Sequence, residues 1–143
     1  MPLREMDLAE CERFLRLRRI GRIAMRDAEG AYLVPISYAF ADGCIYGHAA
    51  AGRKIALMRR WPHVAFQVDD VRNPATWRSV LIRGKWEELE LEADRFRART
   101  LLLKAFEGSL MSVTAGHGHR TTLADAILFR IRIESLSGRA ENA

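Results

Sequence analysis

Turn signals cut this chain into strand-length pieces, and that punctuation constrains its fold more than any other feature. Asp27-Ala-Glu-Gly30 and Ala41-Asp42-Gly43 supply residues that accept the dihedrals of tight turns. They bound apolar runs at 20–25, 31–40 and 44–48, and three further strand-like runs follow at 63–68, 77–91 and 126–136. The last is the clearest: Ile127, Phe129, Ile131 and Ile133 alternate with Leu128, Arg130, Arg132 and Glu134, the period of a half-buried strand. Six runs in near-meander order, with too few helices for strict strand–helix alternation, predict a small antiparallel barrel with flanking helices. Pro35 interrupts the second run and predicts an edge, a bulge or a ligand-facing backbone there, and Gly84 predicts a bulge in the fifth. The Asp-Gly turn predicts a hairpin between the second and third runs.

Three helical patterns accompany the strands. Asp7 with Glu10 three residues on forms a capping signal, and Leu8, Cys11, Phe14 and Leu15 mark a face of a helix ending near Arg19. A second starts at Gly52-Arg53-Lys54 and stops at Pro62. The third spans 93–107, with Phe96, Leu102, Leu103 and Phe106 at helical spacing and Gly108 as its cap. Residues 69–76 and 109–122 read as loops, and 137–143 as a frayed tail.

At 143 residues the chain is expected to form one domain, residues 1–143, with a core of its own. It has no apolar run of bilayer length and no apolar leader near its start, which predicts a cytoplasmic protein. Cys11 and Cys44 lack metal-ligand spacing and are expected to be buried thiols. The formal charge of +5 raises nucleic acid as a partner, but the basic residues are spread along the chain and almost all are arginine, which predicts a solvated surface instead.

The stretch from Gly47 to Asp69 carries the chemistry. Gly47-His48-Ala49 ends a strand, small residues follow, and Gly52, Arg53 and Lys54 open a helix. An arginine fork and a lysine point charge at a helix start, beside unpaired N–H groups, suit a phosphate; alone, the triplet also fits a solvated helix start. Val34-Pro35-Ile36-Ser37-Tyr38 offers backbone groups not consumed by a ladder, which suits the polar edge of a flat heterocycle. Arg78 and Ser79 open a strand just past a loop, where side chains reach a barrel mouth. His48 lies between strand and cradle and is the candidate for proton donation or substrate contact. His63 begins a strand. His117 and His119 are two ligands without a third, so no metal site is predicted. No catalytic triad order or paired carboxylates stand out.

The ordered set of motifs resembles the flavin-binding split barrels of the pyridoxamine 5′-phosphate oxidase superfamily, nearest the nitroimidazole-reductase-like branch. It runs Asp-x-x-Gly, Val-Pro-Ile-Ser-Tyr, Ile-Tyr-Gly-His, Gly-Arg-Lys-x-x-x-Leu, Trp-Pro-x-Val-x-Phe-x-Val-Asp and Trp-Arg-Ser-Val-x-x-x-Gly-Lys, over residues 8–136. The resemblance implies a mainly β, six-stranded antiparallel split β-barrel that forms a homodimer with FMN at the subunit interface. It assigns the phosphate to Arg53 and Lys54 and the flavin ring to Val34, Pro35, Ile36 and Ser37. Gly47, His48, Ala49 and Gly52 lead into the cradle, and Arg78 and Ser79 complete the site. It implies an oxidoreductase acting on a small electrophile such as a nitro-aromatic; a flavin- or nucleotide-binding module without turnover is the alternative. Related barrels bind deazaflavin or haem. Residues 32–38 lack arginine and lysine, and the chain after Ile133 lacks the tryptophan and arginine of true pyridoxamine phosphate oxidases, which argues against vitamin B6 oxidation.

Overall fold

In a computed structural model, which describes residues 3–106, 123 and 125–143, the described residues form one eight-stranded antiparallel sheet with three helices. The elements are β1 (Leu3–Met6), α1 (Leu8–Leu17), β2 (Ile20–Asp27), β3 (Gly30–Ser37), β4 (Ala39–Ala41) and β5 (Cys44–Ala49). They continue with α2 (Arg53–Arg60), β6 (His63–Asn73), β7 (Thr76–Glu88), α3 (Glu92–Ala105) and β8 (Ile127–Glu141). The sheet order is β3-β2-β6-β7-β8-β5-β4, with β1 added to β8. β3 and β4 stand at opposite ends of this path but are joined through Tyr38 alone, so the sheet nearly closes on itself. This is a split barrel.

Tyr38 explains why the predicted run 31–40 is two strands. Its N–H donates to the Arg19 carbonyl at 2.9 Å, its hydroxyl donates to the Leu15 carbonyl at 2.7 Å, and its ring meets Phe66 edge-on at 5.1 Å. Fully buried, Tyr38 leaves the ladder, and the chain crosses from one end of the sheet to the other. Of the outcomes expected at Pro35, the structure shows the edge and not the bulge: Pro35 stays in register opposite Arg22, and among the described residues its strand pairs only with β2. The Asp-Gly hairpin therefore joins only β4 to β5. Asp42 and Gly43 both adopt positive φ, 58° and 69°, the conformation that a two-residue hairpin needs.

Other expectations are corrected in the same way. Residues 69–73 extend β6 rather than forming a loop, and only Pro74 and Ala75 turn the chain, with the Ala75 N–H donating to the Asn73 side chain at 2.9 Å. Residues 137–141 are not frayed: β8 runs to Glu141, held between β1 (Met6 opposite Gly138) and β7 (Trp77 opposite Glu141). The six predicted strands thus become eight, because short β1 lacked an alternating pattern and Tyr38 divided another run. The irregularity expected at Gly84 is a register shift between Arg83 and Gly84, but the extra residue, Glu134, lies on the facing strand β8, and Gly84 leaves room for the Arg132 carbonyl.

The helices seal the two faces. Asp7 caps α1 by accepting from the Glu10 N–H at 2.8 Å, and Cys11, Phe14 and Leu15 are buried, whereas Leu8 is exposed. α2 closes one opening with Ile55 and Met58. α3 covers the outer side of β4, β5 and β8 with Ala98 and Leu102, packed over Leu128, Tyr46 and Cys44; Phe96 and Leu103, expected on its buried face, point to solvent. Both cysteines are buried and unbridged. No helix among the described residues is long and apolar enough to cross a membrane.

Candidate functional site

The split in the barrel runs between β3 and the chain leaving β5. In the β4–β5 hairpin Ala39 pairs with Tyr46, the last pair before β3 and the end of β5 diverge. Further along, the Arg53 guanidinium at the head of α2 lies 4.9 Å over the Tyr32 ring of β3. Among the described residues β3 forms ladder pairs only with β2. The Arg53–Tyr32 contact is what ties the predicted group 52–54 to the strand that carries 34–37, and 47–49 end the strand leading into that helix.

Side chains alternate across this edge. Val34 and Ile36 point into the core, with Ile36 buried, so what they offer outward is backbone. Pro35 and Ser37 lie on the other face, and Ser37 is buried. Gly47 faces inward: a Cβ there would stand 2.6 Å from the Phe129 ring, so its smallness serves the core rather than a ligand. Ala49 is also core. Gly52 caps α2 with φ 167°, extended backbone that any residue adopts, so the cradle does not depend on a glycine-only conformation.

His48 is buried and turned toward the C-terminal end of α3, its ring 6.0 Å from Phe106. Its Nδ1 is buried without a hydrogen-bond partner among the described residues. Burial pushes its pKa below the ordinary 6.5, and the neighbouring Lys54 charge adds to this, so the imidazole is neutral at neutral pH. Burial also lowers the Lys54 pKa. Both groups would be relieved by an anion. Arg53 is 63% exposed and donates from Nη2 to Asp27 Oδ2 at 3.0 Å. Asp27 accepts the Glu29 N–H at 2.8 Å, and this bond, with Arg53 and the Gly30 amide, holds its pKa low against a smaller opposing effect of burial. Asp27 and Tyr32 were not among the residues expected at the site; the sequence marks Asp27 only as a turn residue.

Arg78 and Ser79 are elsewhere. Along the sheet path β7 lies three strands from β3, roughly 14 Å at the usual strand spacing. As neighbours on a strand they face opposite sides. Arg78 turns to α1, 5.0 Å over the Phe14 ring and 3.6 Å from Asp70, which also binds Arg18 at 2.9 Å. Ser79 Oγ accepts from Gln67 Nε2 at 3.0 Å on the outer face. A cavity of about 300 Å³ adjoins Arg78, lined also by Asp70, Arg72, Thr76, Trp77 and Asn142. His63 is an exposed strand start beside Glu134 at 3.5 Å. His117 and His119 lie outside the described residues, and among the described residues no three His, Cys, Asp or Glu side chains cluster for a metal.

Residues 7–140 match the family model described as pyridoxamine 5′-phosphate oxidase. The chain superposes on the crystal structure of a FAD-binding protein from Mesorhizobium loti with TM-score 0.82 and 31% identity, covering 98% of this chain and 99% of that one. A candidate 5-nitroimidazole antibiotic resistance protein from Bacteroides thetaiotaomicron shares the fold with TM-score 0.75 at 16% identity, over 98% and 89% of the two chains. An uncharacterized protein of Rhizobium meliloti is 32% identical over 89 residues, 62% of this chain and 59% of the relative's own length.

Proposed function

The chain belongs to the pyridoxamine 5′-phosphate oxidase family, and from that premise we propose that it binds flavin, as FMN, along the open edge of β3. The observation that carries this reading is the split itself. Among the described residues β3 forms ladder pairs only with β2 and the buried His48 Nδ1 of β5 has no hydrogen-bond partner, and a lysine and an arginine stand at the helix start that follows β5. That donor set fits a flat heterocycle with a phosphate at one end: the edge of Val34–Ser37 for the ring, Arg53 and Lys54 for the phosphate. The FAD-binding name of the Mesorhizobium loti relative supports flavin as the class.

The site is proposed to be completed by a second copy. Leu33, Ile20 and Leu81 are exposed apolar side chains on the outer face of β3, β2 and β7, the face that also carries Ser79. A homodimer packing these faces would cover them and carry Ser79 toward the partner's split, while Arg78 stays on the opposite face against α1. Bound flavin would supply electron or hydride transfer, making the protein an oxidoreductase for a small electrophile such as a nitro-aromatic. The protein's own part is to orient the ring, neutralise the phosphate, exclude water from the split and hold a proton site at His48.

Purified protein incubated with FMN should show the flavin absorption bands, shifted on binding, and should migrate as a dimer by light scattering. A colourless protein that takes up no FMN would count against the reading. Reduction of the bound flavin by NADH or NADPH, followed by reoxidation with a nitro-aromatic, separates an enzyme from a binding module.

A further inference from the structure

Arg53 does not wait as a loose surface arginine. Its guanidinium is clamped on two sides by residues of the β2–β3 hairpin. Asp27, at the end of β2, receives its Nη2 at 3.0 Å, and Tyr32, two residues into β3 from the turn, lies beneath it at 4.9 Å. Asp27 is itself fixed: the Glu29 N–H donates to Oδ1 at 2.8 Å, so both carboxylate oxygens are engaged and the side chain is 12% exposed. The turn that makes the hairpin thus also fixes the direction of the arginine. On its open side the Arg53 side chain is 63% exposed, and one N–H of a five-donor fork is spent on Asp27.

From this geometry we infer that Asp27 is a positioning residue, which with Tyr32 aims Arg53 at the phosphate end of the flavin. The inference rests on the reading that Arg53 holds that phosphate. Its physical basis is preorganisation. An arginine loses much rotamer freedom when it grips an anion, and an arginine already held in a rack loses less. Asp27 also carries a charge that opposes a phosphate. Its engagement with the turn amide directs that charge into the hairpin, so the positioning effect outweighs the repulsion.

The two effects predict opposite signs, which makes the proposal testable. FMN and riboflavin differ only in the phosphate, so the ratio of their affinities isolates the phosphate contact. Titrations with both ligands, by flavin fluorescence, should be run on the unaltered protein and on Asp27→Asn, Tyr32→Leu, Arg53→Gln and Asp27→Asn/Arg53→Gln. Asn keeps an acceptor for the Glu29 N–H and removes the charge partner of Arg53.

The expected result is a FMN-to-riboflavin ratio lowered about fivefold by Asp27→Asn and by Tyr32→Leu, with riboflavin affinity unchanged. Arg53→Gln should lower the ratio at least tenfold, and Asp27→Asn should add nothing in that background. A ratio that Asp27→Asn leaves unchanged or raises, while Arg53→Gln collapses it, overturns the positioning role and leaves Arg53 at the phosphate. A ratio that Arg53→Gln leaves unchanged overturns the placement of the phosphate itself, and the positioning role with it. Should Asp27→Asn fail to fold, Tyr32→Leu carries the same test from the other side of the guanidinium.

Discussion

Arg53 at the head of α2 and Arg78 near the start of β7 are each furnished with one carboxylate and one aromatic ring. Arg53 has Asp27 at 3.0 Å and Tyr32 at 4.9 Å; Arg78 has Asp70 at 3.6 Å and Phe14 at 5.0 Å. The difference lies in who else uses those partners. Asp70 and Phe14 are shared with Arg18, at 2.9 Å and 4.8 Å, so Arg78 is one half of a pair that straps α1 onto the barrel. Among the described residues no second arginine uses the partners of Arg53, and Arg53 is the more exposed, 63% against 32%. The same chemistry serves packing where partners are shared and leaves an open donor set where they are not.

The sharpest way to break this comparison is to remove the open set. Replacing Arg53 and Lys54 together by alanine should lower FMN affinity by about a hundredfold or more, since each charge-assisted bond to phosphate contributes roughly 1.5–3 kcal/mol. Thermal stability should hardly move. Equilibrium dialysis with FMN and a melting curve read the two quantities separately, and undiminished affinity would place the phosphate elsewhere.

A smaller effect tests whether the floor under the split is rigid. Gly47→Ala would drive a Cβ into the Phe129 ring, which stands 2.6 Å from its ideal position. Overpacking of this kind costs about 1–3 kcal/mol, readable as a lower urea midpoint. Should the substitution be tolerated without loss, Gly47 borders the ligand and not the core. On the other side of the comparison, Asp70→Asn should cost about 1–2 kcal/mol, because it strips two arginines of their common counter-charge at once. FMN affinity of the same variant should stay within about twofold if Arg78 is chiefly a strap.

How far the sequence reached follows from the range of the interactions involved. Local signals were legible: the Asp7 cap with Glu10, the Asp42-Gly43 hairpin and the helix stop at Pro62 all depend on residues within a few positions of each other. The start of α2 was legible for the same reason, because Gly52, Arg53 and Lys54 are contiguous. What escaped depends on distant partners. Tyr38 looks like any strand residue until Arg19 and Leu15 claim its N–H and hydroxyl. The segment after Leu136 looks frayed until β1, from the opposite end of the chain, pairs with it. Arg78 and Ser79 are adjacent in sequence and read as a unit, yet strand alternation sends one to α1 and the other to the outer face. The rack on Arg53 was hidden because Asp27 already had a sufficient role as a turn residue.

The smallest expected effect concerns His48, the buried group on the open side of the comparison. Its pKa is depressed by burial first and by the Lys54 charge second, so the folded state resists protonation while the unfolded chain accepts a proton near 6.5. The contribution is therefore fully present above pH 6.5 and is lost as pH falls from 6.5 toward the depressed folded value, because the unfolded state then binds more protons. Asp27 and Asp42, whose carboxylate pKa values are lowered, add their own loss only in more acidic solution, below the ordinary 3.8. Melting temperatures measured from pH 7.5 to 5 should thus fall gently in the unaltered protein, and the slope should flatten in His48→Gln, which carries no titrating group. An anion at Lys54 cancels the charge that helps depress His48 and brings its folded pKa back toward 6.5, so saturating FMN should leave the onset in place and make the fall shallower. Equal slopes in the unaltered protein and in His48→Gln would mean that the imidazole reaches solvent and that the split is wetter than its burial implies.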